Sequence, residues 1–92
     1  MLDEIIENEK LDIPYRGKKF SIYMSTHRNG IIYGTFLYYT EENEILELRY
    51  KAFVGDDAKA VFFRLKEWIE ANFDKIKINI PAKYSIDMDF SR

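Results

Sequence analysis

The chain has 92 residues, a formal net charge of -2 and no cysteine, with 47% hydrophobic and 33% charged residues. This composition predicts one folded domain over residues 1–92 rather than a disordered chain. It excludes disulfide frameworks, thiol catalysis and thiolate metal sites, and it supplies no whole-protein field that attracts nucleic acid. No apolar run approaches the roughly 20 residues of a membrane-spanning helix. The acidic N-terminus is unlike a signal peptide, so the expectation is a cytoplasmic protein with no membrane contact.

In chain order, residues 1–9 read as a short helix, because Leu2, Ile5 and Ile6 follow a helical stripe. Leu11, Ile13 and Tyr15 then alternate with polar residues. Pro14 confines that segment to an edge strand or an extended linker. Arg16-Gly17 is the turn that can fold it back against Lys18 to Ile22.

A three-stranded antiparallel meander follows, at about 18–27, 31–40 and 45–54. Asn29-Gly30 suits a two-residue type I′ turn, whose central residues both need positive φ. Counting outward from it sets Met24 opposite Thr35 and Ile22 opposite Leu37. A second two-residue turn at Glu42-Asn43 sets Leu37 opposite Leu48 and Thr35 opposite Tyr50. In this register Phe20, Ile22, Met24, Tyr33, Leu37, Tyr39, Leu46, Leu48, Tyr50 and Ala52 share an inner face. The other face carries Tyr23, Phe36, Tyr38, Arg49, Lys51 and Phe53, with Ile32 and Lys19. A solvated sheet face is usually polar, so this aromatic outer face is the candidate binding surface.

Gly55-Asp56-Asp57 is a helix start, with an aspartate to cap free amides. The helix spans about 57–73, and Val61, Leu65, Trp68 and Ile69 lie on its apolar face. Burying that face against the inner face of the sheet makes the core. Beyond it Ile76, Ile78 and Ile80 alternate, and so do Tyr84, Ile86, Met88 and Phe90. These predict one or two C-terminal strands. The fold class is therefore α+β: a meander packed on one long helix, with a short N-terminal helix and one or two C-terminal strands.

The sequence holds no motif for catalysis. His27 is the only histidine, and beside Ser25 it lacks an orienting acid and an oxyanion hole, so it reads as an exposed turn residue. Asp87 and Asp89 share one strand face but have no further oxygen ligands in view. The isolated glycines form no phosphate-cradling loop. No cofactor or metal is expected. Gly34, within a strand, marks a bulge or the close approach of another chain.

The order of short helix, three strands and helix resembles double-stranded RNA-binding domains. Asp56-Asp57-Ala58-Lys59 stands where that resemblance implies a lysine cluster, and its charge would repel phosphates. Three strands and a helix followed by Ile76 to Ile80 also resembles the opening of ribonuclease H-like folds and their cut-down form in HicB-type antitoxins. That resemblance implies carboxylates on the first strand, and Phe20 to His27 has none.

The expectation is a non-enzymatic protein-interaction module that self-associates as a homodimer, through the aromatic outer face or through strand edges. The alternatives are an antitoxin-like binding domain, which the truncated ribonuclease H-like resemblance implies, and single-stranded nucleic-acid binding. In that case Tyr23, Phe36 and Tyr38 stack bases while Lys19, Arg49 and Lys51 meet phosphates.

Overall fold

Among the described residues, four long antiparallel strands lie in chain order across one sheet, and one helix packs on one of its faces. The structure, a computed structural model, describes residues 4–79. The strands are β1 (Ile5–Tyr15), β2 (Lys18–His27), β3 (Ile32–Glu42) and β4 (Ile45–Gly55), followed by α1 (Ala58–Ala71). Four strands thus precede α1, which is neither the double-stranded RNA-binding order nor the ribonuclease H-like opening. The strands Ile76–Ile80 and Tyr84–Phe90 expected from the sequence lie wholly or partly outside the described residues. Within them, Lys77 makes one antiparallel bridge to Tyr39.

The expected N-terminal helix is a strand from Ile5 onward. β1 pairs with β2 along its whole length, from Ile5 opposite His27 to Tyr15 opposite Lys18. The turn is Arg16-Gly17 as expected, with φ of 50° and 78°. Pro14 is tolerated because β1 is an edge. The first six residues of β1 are all exposed, so no alternation marks them as strand. Main-chain pairing with β2 holds them, aided by the Arg28 guanidinium on Glu4 at 2.8 Å.

The first hairpin has three loop residues, not two. The Gly30 N–H donates to the His27 carbonyl, the His27 N–H donates to the Ile31 carbonyl, and Gly30 sits at φ 91°. This is a type I turn closed by a residue in the left-handed region. The extra residue shifts the β2–β3 register by one, setting Ile22 opposite Phe36 and Met24 opposite Gly34. A shift of one moves every side chain of the next strand to the other face. The expected inner and outer faces of β3 are therefore exchanged. The second hairpin turns at Asn43-Glu44, both at positive φ. It moves the β3–β4 register by two residues, so β4 stays in step with β3 and its faces are exchanged as well.

The core under α1 accordingly consists of Ile13, Phe20, Ile22, Met24, Ile32, Phe36 and Tyr38 from the sheet, and Val61, Leu65 and Ile69 from the helix. Phe36 stacks on Tyr38, and both rings meet Trp68. Asp57 caps α1 by accepting from the Lys59 N–H. Past Phe36 the described β2–β3 pairing ends, and Lys77 takes the vacated side of β3. The Tyr39 N–H donates to the Lys77 carbonyl at 2.6 Å, and the Lys77 N–H donates back at 2.8 Å. Ile76 is buried beside this bridge.

Candidate docking surface

The six residues proposed as an outer face do not form one surface. Phe36 and Tyr38 are core residues, 1% and 8% exposed. Tyr23 lies across the sheet from them, in the row Lys10–Tyr23–Thr35–Ala52. Arg49, Lys51 and Phe53 share the helix side of β4 with Phe36, at the margin of α1. There Phe53 is half-buried between the cations of Lys51, 5.1 Å from its ring centre, and Arg64, 4.6 Å. Lys51 also sits 5.9 Å from the Trp68 ring. These cations rest on aromatic faces and seal the seam between α1 and β4. Arg49 is exposed, donating to Glu47 at 2.7 Å and to Thr40.

Among the described residues, the surface without cover is the face that the sequence pattern places under the helix. On β3 and β4 it carries Tyr33, Thr35, Leu37, Tyr39, Leu46, Leu48, Tyr50, Ala52 and Val54. Leu37 stands opposite Tyr50, and Tyr39 opposite Leu48. Leu37, Leu48, Tyr50 and Val54 are 50%, 61%, 67% and 47% exposed. On β1 and β2 the same face is mostly polar around the exposed Tyr23: Ser21 donates to Asp12 and Ser25 to Asn8. The face is therefore divided, with an apolar half ending at the β4 edge and a polar half ending at β1. Half-solvated antiparallel sheets normally have polar outer faces, and a contiguous apolar stretch on one marks an interaction surface.

His27 is buried against Tyr33, with ring centres 4.8 Å apart, rather than exposed in the turn. On the helix side a groove of about 480 Å³ runs between the start of α1 and β1–β2. Leu11, Met24, Ile32 and Phe62 line it, and Glu7, Glu9 and Lys59 stand at its rim. It exists because α1 packs chiefly over β3 and β4, so its start does not reach the Glu7 to Leu11 part of β1, whereas Ile13 and Phe20 further along are buried. Among the described residues no cluster of three or more His, Asp or Glu side chains is placed to hold a metal. No described helix is long and apolar enough to cross a membrane.

What the sequence missed is the face, not the residue types. Leu37, Leu48 and Tyr50 were visible as apolar strand residues. Both faces of β3 are apolar in pattern, so alternation there could not say which one the helix takes; on β4 the face with Leu46, Leu48, Tyr50 and Val54 is the more apolar, yet pairing with β3 carries it to the open side. No protein-family model matches the chain, and searches of curated proteins and of solved structures likewise return no match.

Proposed function

We propose that this chain is a non-enzymatic interaction module that self-associates through the apolar half of its open sheet face and the adjoining β4 edge. The observation that carries this reading is the run Leu37, Leu48, Tyr50 and Val54, each about half exposed or more, beside an 11-residue edge strand. Burying such side chains against a second surface is favourable, at about 25 cal/mol per Å² of apolar area removed from water. An uncovered edge strand offers a row of free N–H and C=O groups to the same partner. The nucleic-acid alternative loses its geometry: Phe36 and Tyr38 are under α1 and cannot stack bases, and Tyr23 is on the opposite face from Arg49 and Lys51. Light scattering after gel filtration tests the reading. The expected mass at high micromolar concentration is a multiple of 11.0 kDa; a strict monomer would end it.

A further inference from the structure

We propose that the partner at this surface is a second copy of the same chain, paired β4 to β4 antiparallel with Leu48 on the two-fold axis. This rests on the self-association reading above and adds the register.

The backbone at Leu48 is directed for it. Both the N–H and the C=O of Tyr39 bond Lys77, so they face away from β4. Leu48 lies directly across from Tyr39. In an antiparallel ladder, the two residues of a non-bonded pair both turn their polar groups outward. Leu48 therefore presents its N–H and C=O to the open edge, and alternation extends this to Leu46 and Tyr50. A two-fold axis perpendicular to the sheet keeps the two open faces on one side, so open-face residues must meet open-face residues.

Side-chain charge then selects among the registers this allows. With Leu48 opposite the second copy's Leu48, Leu46 faces Tyr50, and Glu47 faces Arg49 in both directions. Centring on Glu47 or on Arg49 sets like charges on the axis, and centring on Tyr50 sets Arg49 against Lys51. Like charges directly opposite destabilise a ladder, and opposite charges support it. The Leu48 register is the one that sets opposite charges across from each other with no like pair. Each of the pairs Leu46–Tyr50, Leu48–Leu48 and Tyr50–Leu46 exchanges main-chain hydrogen bonds. The apolar half of the open face then runs unbroken from one chain into the other, and neither copy keeps an open β4 edge over these residues.

The test uses two charge variants. Glu47→Arg sets Arg opposite Arg across the axis, and Arg49→Glu sets Glu opposite Glu. Each variant alone should be monomeric, and an equal mixture should form a one-to-one heterodimer by native mass spectrometry. Loss of the Glu47–Arg49 contact within one chain cannot produce that rescue on mixing. A second measurement uses the absence of native cysteine. Under mild oxidation Leu48→Cys should cross-link to itself, because a bonded pair sets Cα atoms about 5.5 Å apart, within disulfide reach; Tyr23→Cys should stay reduced. If the wild type dimerises but both charge variants also dimerise alone, or Leu48→Cys stays reduced, the register is overturned while self-association stands. If the wild type is monomeric, both fall together.

Discussion

Val61 stands directly over Gly34: a Cβ placed on Gly34 would lie 2.6 Å from Val61 Cγ1 and 2.7 Å from Leu65 Cδ1. This contact marks which face of β3 lies under α1. The close approach expected at Gly34 is made by the chain's own helix. Gly34 is the gap into which the first apolar turns of α1 settle, with Ile32 and Phe36 on either side along the strand.

Gly34→Ala should therefore destabilise the fold by about 1–3 kcal/mol, the usual range for overpacking a filled core. Val61 has a stiff χ1 and cannot swing aside cheaply. Urea denaturation checks this. The same substitution in a Val61→Ala background should cost less, because the two residues share one volume and their effects are not additive.

Phe36→Ala should cost about 3–5 kcal/mol, since the ring is buried among Phe20, Tyr38 and Trp68. Tyr50→Ala should shift the stability of the isolated chain by no more than about 0.5 kcal/mol. Denaturation followed by Trp68 fluorescence at low concentration, where association is minimal, compares the two. Equal costs would mean that the faces have been assigned the wrong way round.

Glu44 occupies φ 63° as the second residue of the Asn43-Glu44 turn. A side chain there is strained by about 1 kcal/mol or more relative to the right-handed region, and glycine is the favoured residue. Glu44→Gly should raise stability by about 0.5–1 kcal/mol after glycine's own entropy loss is counted. A higher urea midpoint with an unchanged slope is the expected reading.

The pattern of the chain specified the antiparallel β-hairpins, the Arg16-Gly17 turn, the helix and its capping aspartate. It misassigned faces through one loop residue. Asn29-Gly30 suits a two-residue turn, but Arg28 joins the loop and Gly30 supplies the left-handed closing position. Nothing in β3 could correct that count, because Ile32, Phe36 and Tyr38 on one face are matched by Tyr33, Leu37 and Tyr39 on the other. β1 was misread for the opposite reason. Its first half is exposed on both sides, so main-chain pairing, helped by the Arg28–Glu4 and Ser25–Asn8 contacts, makes it a strand and leaves no period in the side chains. The proposed site suffered most from the error, since six residues chosen as one face are divided between core, seam and open surface.

The most direct measurement is the molar mass, by light scattering, of the wild type beside Leu48→Ser/Tyr50→Ser. Both substituted side chains are more than 60% exposed and make no core contact, so the variant should fold like the wild type by circular dichroism. The prediction is a dimeric wild type and a monomeric variant at the same high micromolar concentration. A monomeric wild type, or a variant that keeps the wild-type mass, would contradict the assignment of this face and edge as the docking surface.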